Sequence, residues 1–277
     1  MSITPRQPAL GRRDSTSLLN LFPSALSHHP SQGTRMAVHP PPHRFDLIND
    51  ANHPVILVNG CRVCLDTGSP FTFRHPKGPE SFRIFDRDMR LHDIPMSQGC
   101  MEDGLESLGF HFDVLLGMDL MADLSWRLDW GAGTAEAAPA LPEEEGTTWL
   151  PMPPSLGMSM SCPSCRVGAG REVALFDTGA QLSYRIGTKP ITAQPAGESR
   201  DFNPHLGIFE TPVWEDDLAI ADHPFPVRFG QLPQLGAVVL EAMGVSWILG
   251  SDLLHAFRMT LDFPGHRLGL RLQKKSQ

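Results

Sequence analysis

Short apolar runs rich in β-branched residues alternate with turn residues along most of this chain of 277 residues. Pro54–Val58 is such a run, and the Asn59-Gly60 pair after it is a strong hairpin signal. Cys61–Leu65 then predicts the returning strand. Comparable runs continue as far as Arg267–Leu272, and few stretches carry helical periodicity. The pattern therefore predicts a mainly β protein.

The other predicted elements are also short. Two helices are expected, Leu120–Leu124 and Leu253–Phe257, with Asp119 and Asp252 as their N-caps. The remaining predicted strands are Phe82–Phe85, Met89–His92, Asp113–Gly117, Ser125–Trp130, Phe209–Trp214, Leu218–Ile220, Val227–Phe229, Ala237–Leu240 and Met259–Phe263.

The chain contains an internal duplication. Residues 64–69 read CLDTGS and residues 175–180 read LFDTGA. Each copy is followed by an apolar-apolar-Gly triplet, ending at Gly117 or Gly250, and then by an apolar-Asp-aromatic triplet centred on Asp129 or Asp262. The spacing within these flanks is the same, 129−117 = 12 and 262−250 = 12. Two similar units predict a pseudo-twofold axis, at which equivalent residues such as Asp66 and Asp177 meet.

This duplicated pattern resembles the pepsin-like and retropepsin-like aspartic proteases. The resemblance covers residues 50–130 and 160–272, most of the chain. It implies a bilobal pepsin-like acid protease fold, with two pseudo-twofold-related β-barrel lobes and a cleft between them. The lobes are short, closer in size to a retropepsin subunit than to a pepsin lobe. The implied activity is that of an aspartic endopeptidase that needs no cofactor and no metal.

The resemblance assigns catalysis to Asp66 and Asp177. Two carboxylates in contact cannot both ionise cheaply, so the pair holds one proton over a wide pH range. The ionised carboxylate takes a proton from water as the water attacks a peptide carbonyl, and the protonated carboxyl donates to the carbonyl oxygen. Because both aspartates are on one chain, a monomer is sufficient for this chemistry.

Supporting roles also follow from the resemblance. Thr67 and Thr178 are expected to cross-link the two turns through their hydroxyls. Gly68 and Gly179 let backbone amides approach the carboxylates.

The fourth position of the motif differs between the copies, with Ser69 in the first and Ala180 in the second. A serine hydroxyl that donates to its aspartate favours the ionised form. We therefore predict that Asp66 is the base and Asp177 the more readily protonated partner. The missing hydroxyl is also expected to move activity towards neutral pH.

The first lobe is expected to lack a full flap, which is the hairpin that closes over the substrate in this family. From Asp66 to Gly117 the step is 117−66 = 51, and from Asp177 to Gly250 it is 250−177 = 73. The second lobe therefore has room for a flap with its tip near residues 203–207. The first has only a stub around Asp86–Arg90. The chain's only tyrosine, Tyr184, follows the second motif and is expected in the core, as are Trp126, Trp130 and Trp247.

Composition predicts the domain boundaries. Residues 1–44 are rich in Pro and His and are expected to be a disordered tail. Residues 45–130 form the N-terminal lobe, 131–158 an exposed linker and 159–272 the C-terminal lobe.

Charge and cysteine content narrow the partners and the compartment. The net charge of −8 argues against nucleic acid and anionic membranes as partners, and no apolar run has the length of a membrane span. Five cysteines cannot all pair within one chain, so a cytoplasmic location is the better interpretation. The expected partner is a peptide or protein substrate.

Two other functions remain open at this stage. The first is a non-catalytic module that holds a peptide or protein in the cleft because its flap is degraded. The second is a zinc-stabilised scaffold, because Cys61, Cys64, Cys162 and Cys165 offer the four thiols of a structural zinc site. Strand alternation weighs against zinc, because it turns Cys61 and Cys64 to opposite faces.

Overall fold

The computed structural model of the chain describes residues 41–93, 108–153, 163–168, 170–187, 191–203, 207–220 and 223–273. Over these ranges the protein is mainly β, as predicted, with several sheets and short helices. Residues 1–40 of the expected tail, Cys162 and residues 204–206 of the expected flap tip lie outside the described ranges.

Most elements are strands of three to nine residues. In the first part of the chain these are β1 (His43–Asp50), β2 (His53–Val58), β3 (Cys61–Leu65), β4 (Phe73–Arg74), β5 (Ser81–Ile84), β6 (Arg87–Arg90), β7 (His92–Asp93), β8 (Val114–Leu116), α1 (Met118–Met121), β9 (Ser125–Asp129), β10 (Thr134–Ala138) and β11 (Thr148–Pro151). In the remainder they are β12 (Ser164–Val167), β13 (Glu172–Phe176), β14 (Ser183–Arg185), β15 (Gln194–Asn203), β16 (Gly207–Ile220), β17 (His223–Gln231), α2 (Gln234–Ala242), β18 (Val245–Leu249), a 3₁₀ helix (Ser251–His255), β19 (Phe257–Asp262) and β20 (Arg267–Leu272).

Strands from both repeats share one large sheet. Its order is β11-β20-β19-β9-β10-β1-β2-β3-β8-β4-β7. The closing hairpins β9–β10 and β19–β20 meet side by side, since β9 and β19 pair antiparallel with Leu128 opposite Met259. β1 flanks one hairpin and β11 flanks the other, so the six strands from β11 to β1 have a symmetric order. The duplicated aspartates make contacts across this junction. Asp129 of β9 lies 3.4 Å from Arg258 of β19, and Asp262 of β19 accepts a hydrogen bond from Ser125 of β9.

The two motif-bearing strands have the same surroundings in both repeats. β3 pairs antiparallel with β2 and parallel with β8. β13 pairs antiparallel with β12 and parallel with β18. Both strands are buried at their last three residues. A buried strand held on both edges delivers the residue that follows it at a fixed position, which here is Asp66 or Asp177.

The segment predicted as an exposed linker is partly built into the large sheet. β10 lies within residues 131–158, and its Ala135 and Ala137 are fully buried. Small side chains suit this position because β10 lies between β9 and β1. The loop before β11 is also attached to the sheet, since Glu144 lies within 3.7 Å of Arg127 and 2.9 Å of Arg258. The expectation of an exposed linker is therefore wrong for β10, whereas most residues of the loop from 139 to 147 are exposed.

Three further predictions about local structure are corrected. Ala237–Leu240 is part of α2 rather than a strand, because a short apolar run fits a half-buried helix equally well. β15 was not among the predicted strands, although a hairpin with its tip near residues 203–207 was expected, and β15 and β16 pair up to Asn203 and Gly207. Asp119 and Asp252 are not caps, because the helices begin earlier, after Gly117 and Gly250, and no side chain caps either one.

Within the described ranges, no helix has both the length and the apolar character needed to cross a membrane.

Candidate active site

Each repeat presents its aspartate directly after a buried strand. The Asp66 amide donates to the Leu116 carbonyl at 3.0 Å, which extends the pairing of β3 with β8. The Asp177 amide donates to the Leu249 carbonyl at 2.9 Å, which extends the pairing of β13 with β18. The chain then turns sharply, because the amides of Gly68 and Gly179 fold back to the carboxylates of their own aspartates at 2.8 and 2.9 Å.

The two turns are joined by a reciprocal pair of threonines. The Thr67 amide donates to the Thr178 hydroxyl at 3.0 Å, and the Thr178 amide donates to the Thr67 hydroxyl at 3.0 Å. Each hydroxyl then donates to a carbonyl of the opposite strand, Thr67 to Phe176 at 2.6 Å and Thr178 to Leu65 at 2.7 Å. Both side chains are fully buried. Four hydrogen bonds between the repeats therefore fix one turn against the other.

Each carboxylate lies against the glycine of the opposite turn. A Cβ atom added to Gly68 would lie 2.4–2.5 Å from the carboxylate atoms of Asp177. A Cβ added to Gly179 would lie 2.4–2.6 Å from those of Asp66. Glycine is required at both positions because any side chain would occupy the space of the carboxylate. The structure thus brings the two sequence-predicted aspartates together across the junction of the repeats.

Burial makes ionisation of this pair unfavourable. Both aspartates are half-buried as residues, so the site keeps an opening to solvent. Burial and then the neighbouring charge of Asp177 raise the pKa of Asp66 well above its ordinary value. Burial also raises the pKa of Asp177, but hydrogen bonds from the Gly179 amide, the Asp66 carboxyl and the Ala180 and Gly68 amides oppose that rise. Amide hydrogen bonds from Gly68 and Ser69 likewise oppose the rise at Asp66, so burial disfavours ionisation of both carboxyl groups.

The prediction that the Ser69 hydroxyl donates to Asp66 is wrong. The Ser69 hydroxyl donates to the Phe71 carbonyl at 2.8 Å instead of to Asp66. Only the Ser69 amide reaches Asp66, at 3.0 Å, and a backbone amide does not depend on residue type. The serine therefore gives Asp66 no special preference for the ionised form.

A buried hydroxyl supports each turn with two hydrogen bonds, and neither hydroxyl was predicted from the sequence. The Thr72 hydroxyl donates to Asp119 at 2.6 Å and accepts the Gly117 amide at 3.0 Å. The Ser183 hydroxyl donates to Asp252 at 2.8 Å and accepts the Gly250 amide at 3.1 Å. The signal was available, because each hydroxyl lies six residues after its aspartate, 72−66 = 6 and 183−177 = 6. Burial raises the pKa of Asp252 to about 7.

His53 is another residue that was not predicted from the sequence. It is buried at the start of β2, and its ring stacks on Phe110 with centroids 3.9 Å apart. Its Nδ1 atom lies 3.3 Å from the Asp50 carbonyl, and the ring also approaches the Gly179 backbone of the other repeat. Burial lowers the pKa of His53 to about 4, so it is neutral near pH 7.

One hairpin of the second repeat lies close to the pair. We call β15 and β16 together the long hairpin. The Gln181 side chain, in the turn after Asp177, donates to the Arg200 carbonyl of β15 at 2.9 Å. Phe202 packs against a cluster of the first repeat that includes Cys64 and Phe110. The long hairpin therefore extends from one repeat to the other beside the aspartates.

The corresponding hairpin of the first repeat lies elsewhere. β5 and β6 occupy the place of the stub predicted around Asp86–Arg90. Asn59 donates to the Arg83 carbonyl at 3.0 Å, so the hairpin packs beside the turn before β3, at the end opposite Asp66. Phe85 packs on Trp126, with ring centroids 5.6 Å apart. This hairpin contributes to the core rather than to the site.

The described cysteines and the aromatic residues predicted to be core pack in or against the apolar clusters. Cys61 packs beside the main cluster and Cys64 lies in a different one, which agrees with opposite faces of β3. Cys61, Cys64 and Cys165 are free thiols. Among the described residues no group of three His, Cys, Asp or Glu side chains is arranged to hold a metal ion. Side chains predicted to be core include Trp126, Tyr184 and Trp247, all buried, whereas Trp130 is half-buried.

Comparison with known proteins adds no family assignment. No protein-family model matches the chain, and no curated protein matches it either.

Alanine in place of Gly179 is expected to disrupt the aspartate pair without unfolding the protein. The new methyl group would overlap the Asp66 carboxylate and displace it by about 1 Å. A displacement of that size costs on the order of 100-fold in catalysis. Gly131→Ala is the matched control, because its Cβ would meet the flexible end of Gln273, 2.7 Å away, and otherwise only the Asp129 carboxylate at an ordinary 3.4 Å. Turnover of a peptide substrate and circular dichroism test this prediction, and equal turnover in both variants would contradict it.

Proposed function

We propose that the protein is an aspartic endopeptidase in which Asp66 and Asp177 activate a water molecule for attack on a peptide bond. The observation that carries the proposal is the reciprocal contact in which each carboxylate packs on the glycine of the opposite turn. The buried threonine pair supports it, because fixed carboxylates need no rearrangement during the reaction.

The proposed mechanism uses the asymmetry of the pair. Asp177, the more acidic partner, accepts a proton from the water as the water attacks the carbonyl carbon. Asp66 donates its proton to the carbonyl oxygen, which gives a neutral tetrahedral diol. Asp177 then gives its proton to the amide nitrogen while Asp66 takes a proton from one diol hydroxyl. The C–N bond breaks, a carboxylic acid and an amine are released, and the pair again holds one proton. The amide hydrogen bonds that lower the pKa of Asp177 support this division of roles.

The finer architecture is part of the same proposal. We infer a bilobal pepsin-like fold of two β-barrel lobes related by a pseudo-twofold axis, with the substrate cleft between them. The symmetric strand order from β11 to β1 supports this arrangement. So do the matched surroundings of β3 and β13. The substrate would bind as an extended chain under the long hairpin, which would serve as a single flap.

A non-catalytic peptide-binding module is the second candidate. The position of β5 and β6 favours it, because that hairpin packs into the core instead of beside the aspartates. Substrate clamping and water exclusion in this class of enzyme depend on such hairpins. An intact, closely packed carboxylate pair favours catalysis, since a pure binding site has no need for two carboxylates whose burial is unfavourable.

Cleavage of a peptide library separates the two candidates. The purified full chain is incubated with the library between pH 3 and pH 8, and new termini are identified by mass spectrometry. An endopeptidase of this class produces internal cuts that a pepstatin-type statine inhibitor blocks. Enrichment of peptides without cutting would support the binding module and overturn the proteolytic function.

The proposal includes a cytoplasmic location and a single chain as the active unit. Free thiols at Cys61, Cys64 and Cys165 are consistent with a reducing compartment. Both proposed catalytic carboxylates come from one chain, so a second copy is not required for the reaction.

A further inference from the structure

A buried polar cluster joins the long hairpin to the segment that carries Asp177. Tyr184 on β14 is 3% exposed, and its hydroxyl donates to the Asp201 carboxylate on β15. Asp201 is itself 5% exposed. It also accepts the Phe202 amide at 2.7 Å and a hydrogen bond from the Gln181 side chain. The proposed reaction assigns no role to Tyr184 or Asp201, although burying a carboxyl group and a phenol is costly.

The cluster connects the hairpin to the aspartate pair through residues that lie near Asp177 in the chain or in the neighbouring strand. Gln181 and Tyr184 follow Asp177 in the same turn and strand. Tyr184 pairs with Ile248 of β18, and the next residue of that strand, Leu249, accepts the Asp177 amide at 2.9 Å. A displacement of the hairpin at Asp201 therefore acts on the elements that position Asp177.

On the side facing the first repeat, the hairpin makes apolar contacts. Phe202, next to Asp201, packs against the first-repeat cluster that contains Val55, Cys64 and Phe112. Apolar contacts of this kind are non-directional and have no dependence on pH. The polar cluster at Asp201 is thus the part of the attachment whose strength changes with protonation.

We propose that Tyr184 and Asp201 are positioning residues that hold the long hairpin closed over the Asp66–Asp177 pair, and that protonation of Asp201 favours closure. The inference rests on the proposed function only in giving closure a role in peptide hydrolysis.

The sign of the pH effect follows from burial. Burial raises the pKa of Asp201 to about 6, the hydrogen bonds from Tyr184, Phe202 and Gln181 oppose that rise, and the charge of Asp177 adds to it. Opposite Asp201 on β16 lies the apolar Phe209. When the hairpin opens, Asp201 meets water and its pKa returns to about 4. The closed state therefore binds the proton more tightly, and raising the pH from about 4 to about 6 weakens closure by up to on the order of 100-fold, with no further change at higher pH.

Hydrogen–deuterium exchange of the full chain tests this inference without requiring activity. Exchange of β15 and β16 amides is measured from pH 4.5 to 7.5 and corrected for the intrinsic pH dependence. In the wild type we expect protection of the hairpin to fall from pH 4.5 to about 6 and to be constant above that pH. In Asp201→Asn, which has no charge to bury, protection is expected to stay nearly constant. Tyr184→Phe removes a donor to the carboxylate, so the transition is expected to move to higher pH.

Asp216→Asn is the matched control on the same hairpin. Asp216 is exposed on β16 and accepts only the amide of its own neighbour, Asp217. Its variant is expected to match the wild type at every pH. A wild-type hairpin whose corrected protection is independent of pH would overturn the inference. So would a Tyr184→Phe transition at the wild-type pH, because a merely structural tyrosine would not move it.

Peptide hydrolysis distinguishes failure of this inference from failure of the proposed function. If the enzyme is active, Asp201→Asn is expected to lower KM above pH 6 by several-fold with a smaller effect on kcat. Cleavage together with flat exchange profiles would leave the endopeptidase standing and remove the closure mechanism. The expected exchange profiles without any cleavage would support the closure mechanism and overturn the proposed endopeptidase function.

Discussion

Asparagine at position 177 is expected to lower kcat/KM for peptide hydrolysis by roughly 10²- to 10⁴-fold, the contribution typical of a general base. The side chain keeps its shape and still accepts the Gly179 amide, bonded to the carboxylate at 2.9 Å in the wild type. It cannot accept a proton from water. Asp66→Asn is expected to have a similar effect, because the amide cannot transfer the proton that Asp66 gives to the carbonyl oxygen.

The same substitution is expected to increase stability above acidic pH. Burial raises the pKa of both aspartates above their unfolded values. A raised acid pKa means that the folded state binds more protons than the unfolded state, so stability is lost as the pH rises through the folded pKa values. Asp177→Asn removes that cost. The gain in melting temperature over the wild type should therefore grow with increasing pH.

Asp123→Asn is the control for this pair of effects, because Asp123 is exposed in the turn after α1. It should change neither rate nor melting temperature. Kinetics with a cleavable peptide and thermal unfolding at several pH values supply the measurements. An Asp177→Asn enzyme with more than about a tenth of wild-type activity would be incompatible with the assigned role of Asp177 as general base.

The sequence was most informative where a pattern occurred twice. The duplicated motif predicted that the turns at Asp66 and Asp177 would approach each other, and the structure brings their carboxylates onto the opposing glycines. The Asn59-Gly60 hairpin was also predicted. The structure confirms it, because both residues have positive φ, 51° and 83°. These features depend on local backbone requirements or on symmetry, and both can be recognised in a single sequence.

Features that depend on tertiary partners were not predictable in this way. Asp119 and Asp252 have the residue type of helix caps, but Thr72 and Ser183 provide them with buried partners. The Ser69 hydroxyl is oriented by the Phe71 carbonyl. In each case two polar partners are possible for the side chain, and only the folded structure determines which of them lies nearer.

The threonine pair is the other place where a single substitution is expected to have a large effect, here on stability. Valine at position 178 has nearly the shape of threonine but no hydroxyl. It leaves the Thr67 amide without its acceptor at 3.0 Å and the Leu65 carbonyl without its donor at 2.7 Å. Each buried group left unsatisfied costs about 1–3 kcal/mol. Thr178→Val is therefore expected to lower the free energy of unfolding by about 2–6 kcal/mol, a large part of the total for a typical domain.

Two further variants determine whether the lost hydrogen bonds cause this effect. Thr178→Ser restores the hydroxyl and removes only a methyl group, so it should recover most of the stability. Thr260→Val is the matched control, because the Thr260 side chain is buried and has no recorded hydrogen bond within the described ranges. Denaturant titration gives the free energies of all three. If Thr178→Val is as stable as Thr178→Ser, methyl packing rather than hydrogen bonding joins the two turns. The fixed geometry of the aspartate pair would then need another physical cause.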